Sequence, residues 1–306
     1  MFKSTVSNRR SLNSRYGDML FSAALILPVL LITAVFILFP VIDSVLKSFL
    51  AYRTKNVISG APGEWNDFAN YLKLFSNAKL VPAILTTFTF VLWVVAMQFL
   101  LGMALALLLN AAKRGGRLLR SVMMIPWVVP TVISALIWLW IFQPQYGLLK
   151  YIASLFGAPE FAILNNPSSA LSGIMIAALW KQVPMTALLL LAGLQNVPSD
   201  MLEAAVVDGA GSARKFFSII LPSMKSVIKI SMSMSIIENF KQFPLVWNMT
   251  GGGPNNATTT LAVLSYREAF VSNNLGSGAA VTTIWMLLMI LVIFFYNRFM
   301  GASSAE

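Results

Sequence analysis

Residues 81–109 read VPAILTTFTFVLWVVAMQFLLGMALALLL, 29 positions without one charged side chain. An α-helix rises about 1.5 Å per residue, so about 20 such residues cover the roughly 30 Å of hydrocarbon in a bilayer. The stretch predicts a membrane-spanning helix. Comparable runs at 20–41, 122–142, 170–194, 227–247 and 277–299 predict five more. The expected fold class is therefore all-α, a polytopic membrane protein with six transmembrane helices and both termini on one side. A single domain at 20–300 is flanked by a leader at 1–19 and a tail at 301–306.

The composition around those runs excludes several classes of function. Of 306 residues, 58% are hydrophobic and 11% charged, against about a quarter charged in an ordinary soluble domain. A water-soluble globule is ruled out. The chain has neither Cys nor His, which removes disulfides, thiolate nucleophiles, imidazole bases and the usual zinc, haem and iron–sulfur ligands. No catalytic residue and no metal ligand is assigned. A Gly-x-x-x-x-Gly-Lys-Ser/Thr loop is absent from the sequence, so ATP phosphates have no P-loop cradle here.

The formal charge of +11 follows from topology and does not call for nucleic acid, because Lys and Arg hold loops on the cytoplasmic side. With the leader, the second and fourth loops and the carboxyl end inside, thirteen cations lie in the cytoplasm, seven outside, and Lys181 and Lys241 within spans. Five of the seven outside cations sit in one long loop, Lys47, Arg53, Lys55, Lys73 and Lys79. The leader carries Lys3, Arg9, Arg10 and Arg15, and the run after it is longer than a signal peptide's apolar region, which predicts a retained first helix. Outer stretches such as PGEWNDF at 62–68 and GGGPNN at 251–256 combine turn formers with aromatic or amide groups. They either receive a partner or simply reverse the chain.

The cytoplasmic loop at 197–225 is the most specific part of the sequence. Pro198 stops the preceding helix, and Asp200 with Glu203 forms a potential capping box for a short helix ending at Val207. Gly209 permits a sharp turn into a second segment, where Phe216, Phe217, Ile220 and Leu221 offer an apolar face. The expectation is two helices and a turn at the membrane surface. This stretch resembles the EAA motif of binding-protein-dependent ABC importer permeases, with Glu203-Ala204-Ala205, Asp208-Gly209-Ala210 and Ile219-Ile220-Leu221-Pro222 in place. TGGGP at 250–254, Thr258, Thr259 and Thr260, and the Pro126, Pro130 and Trp138 pattern are similar to the carbohydrate branch related to maltose and glycerol-phosphate permeases. The resemblance covers about residues 15 to 300. Larger maltose-type subunits carry a big outer domain after the third span, whereas about 27 residues separate Phe142 from Ala170 here; the chain looks like the compact six-helix form.

The resemblance implies the MetI-like fold of type I ABC importers in a bacterial or archaeal cytoplasmic membrane. It implies as partners a second EAA-type permease, two copies of a cytoplasmic ABC ATPase, and an extracytoplasmic solute-binding protein delivering a sugar. No cofactor is bound directly, since ATP and Mg belong to the partner ATPase, and no nucleic acid is involved. Glu203, Ala204, Ala205, Asp208 and Gly209 are implied to couple to the ATPase, the small residues allowing close approach.

A transport path needs polar groups inside the spans, and such groups face the bundle or a wet cavity because lipid gives them no partner. Ser235, Asn239 and Gln242 share one helical face, with Glu238 and Lys241 beside it, and Trp180, Lys181 and Gln182 precede Pro184. These seven, Trp180, Lys181, Gln182, Ser235, Glu238, Asn239 and Gln242, are the candidate substrate contacts. Counting from Glu203, the family's sugar-contacting positions fall among them. Helix-to-helix packing would use the same residues, with Lys181 neutralising Glu238. Trp138, Trp140 and Trp247 read as interfacial anchors. An ion-coupled secondary carrier built on Glu238 is the alternative function, and a membrane-embedded enzyme using Glu238 and Lys181 a third.

Overall fold

The computed structural model describes residues 12–76, 78–112, 115–157 and 162–302, with side chains from 19 to 300. Lys3, Arg9, Arg10, Lys113, Arg114 and residues 303–306 lie outside what is described, as does the side chain of Arg15. Met19–Lys47, Leu80–Ala111, Ala170–Gln195 and Leu275–Met300 are each long and apolar enough to cross a bilayer. Two bent pairs bring the spans to six, Gly116–Val128 with Thr131–Ile141 and Ser212–Ser223 with Lys225–Phe240.

The second and fourth spans form the closest pair in the bundle. Phe90, Val94, Ile174, Ala177 and Ala178 are buried between them, and Ile236 and Phe240 of the fifth span close the same cluster. Small residues set the spacing. A Cβ on Gly102 would meet Thr186 Cγ2 at 3.0 Å, so the two backbones approach as only glycine allows. The first span is different: its most apolar stretch buries nothing, and only its far end, Phe39–Lys47, packs on the last helix.

Two spans depart from the continuous helices expected at 122–142 and 227–247. The third bends by 91° between Val128 and Thr131. Pro130 has no N–H to extend the ladder and its ring pushes Val129 to extended backbone, φ −60°, ψ 130°. The fifth bends by 72° at Met224 and ends at Phe240, because Pro244 cannot bond back to the Phe240 carbonyl. A separate helix, Pro244–Thr250, follows. Gln242 therefore lies in the joint beyond the span, and Trp247 on the next helix.

Outside the spans, Leu50–Ala51 pairs antiparallel with Glu64–Trp65, Leu50 opposite Trp65. The helix Ala69–Ser76 then packs back onto the bundle. In the loop after the fourth span, Ser199–Val207 is helical as expected, but no side chain caps its start. The Asp200–Glu203 capping box does not form: the helix begins at Ser199, and Asp200 Oδ1 accepts from the Ser199 hydroxyl at 3.2 Å. The expected turn does form. Gly209 takes φ +74°, its N–H donates to Val206 O at 3.0 Å, and Ala210 N–H reaches Ala205 O at 2.8 Å, a Schellman close. Phe216, Ile220 and Leu221 pack under Met224, while Phe217 points away and is exposed.

Candidate functional site

A cavity of about 560 Å³ opens among the second, fourth and fifth spans and the bent third. Its polar wall comes from one face of the fifth span, where Ser231, Ser235 and Glu238 recur at helical spacing. Asn239 stands behind that wall and is buried. Its Nδ2 donates to Gln98 Oε1 (3.2 Å), Gln182 Oε1 (3.0 Å) and Ser235 O (2.9 Å). Its Oδ1 accepts from Gln182 Nε2 at 3.1 Å, and Gln98 Nε2 continues the chain to Thr186 Oγ1 at 2.6 Å. One amide thus ties three spans together. Such a network is stable in an apolar interior because each member satisfies another.

Of the seven predicted contacts, Lys181, Gln182, Ser235, Glu238 and Gln242 line this cavity. Asn239 acts through Gln182, its own polar atoms being used. Trp180 does not line this cavity. It turns to the other side of its helix, into an apolar groove with Leu101, Leu105 and Pro126, and packs edge-on against Trp138 with ring centroids 6.0 Å apart. Its neighbour Lys181 takes the cavity side because successive helical residues are separated by about 100°.

The Lys181–Glu238 pair that helix packing would have used is absent among the described residues. Glu238 pairs instead with Lys241, one turn on, at 2.9 Å, with both side chains mostly exposed. Lys181 Nζ donates to the carbonyls of Trp127, at 3.3 Å, and Val129. Those carbonyls flank the break in the third span, where no helical N–H follows to take them. The ammonium replaces the missing turn of helix. As for the other tryptophans, Trp138 sits against Phe142 and Trp180 and Trp247 between Phe243 and Tyr266, so both pack on rings of the bundle.

Sequence reasoning missed several lining groups, among them Gln98, Thr186, Trp127 and Ser231. Gln98 and Thr186 are polar residues within spans, and the rule that selected Asn239 applies to them equally. Trp127, between Pro126 and the break, supplies the aromatic surface assigned to Trp180. Ser231 is 1% exposed, lines the cavity, and its Oγ has no partner among the described residues. A serine on a helix face two turns before Asn239 was the available signal.

At the loop, Glu203, Ala204, Asp208 and Gly209 are exposed together. Ala205 is not among them: it is buried under the helix and supports the turn through Ala210. Met201, Val206 and Val207 add an exposed apolar strip that was not anticipated. Glu203 and Lys215 line a shallow cavity of about 380 Å³ on this surface.

Comparison with known proteins follows the same lines. Residues 98–303 match the model of the family described as binding-protein-dependent transport system inner membrane component. The chain is 35% identical over 290 residues to the trehalose/maltose transport system permease protein MalF of Thermococcus litoralis, covering 95% of this chain and 96% of that protein. It is 32% identical over 282 residues to the sulfoquinovosyl glycerol transport system permease protein SmoG of Agrobacterium fabrum, covering 92% and 91%. A chain in the crystal structure of a bacterial alginate ABC transporter, in complex with an alginate pentasaccharide-bound periplasmic protein, superposes with a TM-score of 0.80 at 17% identity, covering 94% and 96%. At that identity the likeness is one of fold.

Proposed function

The chain belongs to the family of binding-protein-dependent transport system inner membrane components, and from that premise we propose that it forms, with a second permease, the membrane path for a sugar or sugar derivative. The observation that carries this reading is the amide- and hydroxyl-lined cavity set in an otherwise apolar bundle. Gln182 and Gln242 offer donors and acceptors to sugar hydroxyls, and Trp127 offers a ring face. The cytoplasmic loop supplies the drive. Glu203, Ala204, Asp208 and Gly209 dock into an ABC ATPase, two copies of which serve the permease pair, and a binding protein delivers cargo from the other side. The loop at 197–225 and both termini face the cytoplasm.

The ion-coupled carrier is set aside. The chain's relatives are ABC importer permeases, and Glu238 is exposed and ion-paired near the end of its helix, unlike an acid buried at mid-membrane for proton or sodium coupling. The test is uptake into proteoliposomes carrying the chain with its permease, ATPase and binding-protein partners. Sugar-stimulated ATP hydrolysis and ATP-dependent uptake are expected. Uptake driven by an ion gradient without ATP would overturn the reading.

A further inference from the structure

The helix Ala69–Ser76 is held to the bundle by one face only. Asn70 Nδ2 donates to Ser48 O (2.8 Å) and Leu50 O (2.9 Å), Tyr71 OH shares a 2.6 Å bond with Ser48 Oγ, and Leu74 is buried with Leu80 and Leu261. The opposite face is largely exposed and apolar, with Phe68 leaning on the rings of Phe49 and Tyr71. Phe68, Leu72 and Phe75, at i, i+4 and i+7, are 62%, 69% and 61% exposed. Trp65, equally exposed, stacks on Phe49 just before them, ring centroids 5.6 Å apart. Eight residues cover about 12 Å, far too short to cross a bilayer, so the stripe is not a span.

We propose that this stripe lies in the lipid interface, with Phe68, Leu72 and Phe75 among the upper acyl chains and Lys73 and Lys79 against phospholipid phosphates. Continuity points to the occupant: three residues separate Ser76 from the apolar span Leu80–Ala111, whose Val81 and Leu85 are themselves exposed. The stripe therefore stands at the level where that span meets the headgroups. Over residues 64–79 the two acids, Glu64 and Asp67, precede the stripe and the two lysines, Lys73 and Lys79, lie within and after it towards the span, and aromatic rings with cations are what an interfacial helix presents to lipid. The two faces divide the work. Buried Asn70 and Leu74 fix the helix to the bundle, and the exposed face fixes the bundle's depth in the membrane.

The absence of cysteine from the sequence makes the test direct. Leu72→Cys, Phe75→Cys and, as a loop reference, Ser168→Cys are spin-labelled in the assembled transporter with cysteine-free partner subunits, reconstituted in phosphatidylethanolamine–phosphatidylglycerol vesicles. Only variants that keep wild-type ATPase activity are compared. The ratio of collisions with oxygen to collisions with a water-soluble nickel chelate is expected to be several-fold higher at 72 and 75 than at 168. Ratios at 72 and 75 equal to that at 168 would show the stripe in water, and shielding from both reagents would show it under a protein partner. Either result overturns the proposal.

Discussion

Ser231 and Asn239 lie on the same helix face, both buried, yet substitution at each has a different consequence. Ser231 Oγ is unpartnered among the described residues, so Ser231→Ala removes nothing from the folded protein and its melting temperature should stay within about a degree of wild type. Gln242 lines the cavity and is half-buried; a neutral hydrogen bond contributes about 0.5–1.5 kcal/mol, so Gln242→Leu should lower apparent sugar affinity in uptake assays by about two- to twelvefold. Asn239→Leu instead strips partners from both Gln98 and Gln182. Unpaired buried polar groups cost about 1–3 kcal/mol each, so a clear drop in melting temperature is expected, with altered relative uptake among candidate sugars. Unchanged melting and kinetics would remove Asn239 from the site. Lys181→Met leaves the Trp127 and Val129 carbonyls bare; uptake of all sugars should fall together, whereas loss confined to one sugar would mark Lys181 as a ligand contact.

At the scale of elements, the two proline-marked spans explain why the site was only partly legible. Apolar length located all six crossings, since hydropathy reports which residues belong in lipid. It does not report direction. Pro130 stood in plain view, but whether a proline kinks a span or breaks it through 91° depends on who takes the freed carbonyls, and that partner, Lys181, is 51 residues away from it. For the same reason the sequence does not tell that Trp180 turns onto Trp138 or that Lys181 reaches the third span and not Glu238. The loop was easier to read because its turn is local: Gly209 needs only its own backbone. Gly209→Pro imposes φ near −65° where +74° is required and deletes the N–H bonded to Val206. Membrane insertion should be normal by fractionation while sugar-stimulated ATP hydrolysis is abolished; retained stimulation would refute the loop's coupling role.

For the molecule as a whole, the proposed orientation places the loop after the third span and the loop after the fourth on opposite sides of the membrane. Phe156 and Val207, 83% and 86% exposed, report on them. In right-side-out vesicles a membrane-impermeant maleimide should label Phe156→Cys and spare Val207→Cys, and inverted vesicles should reverse the pattern. Cavity and loop also belong to one piece of chain. The rod from Ser212 to Phe240 carries the coupling turn's flank at one end and Ser231, Ser235 and Asn239 at the other, with a 72° elbow at Met224 between them. An elbowed rod pivoting at its corner works as a bell crank. On the proposed coupling role, a stroke delivered at the Ser212 arm would emerge at the other arm turned through 72°, so that a thrust along one arm would become a sideways sweep of the cavity wall. The amide knot that joins Asn239 to Gln98 and Gln182 would hand that sweep to the second and fourth spans in the same stroke.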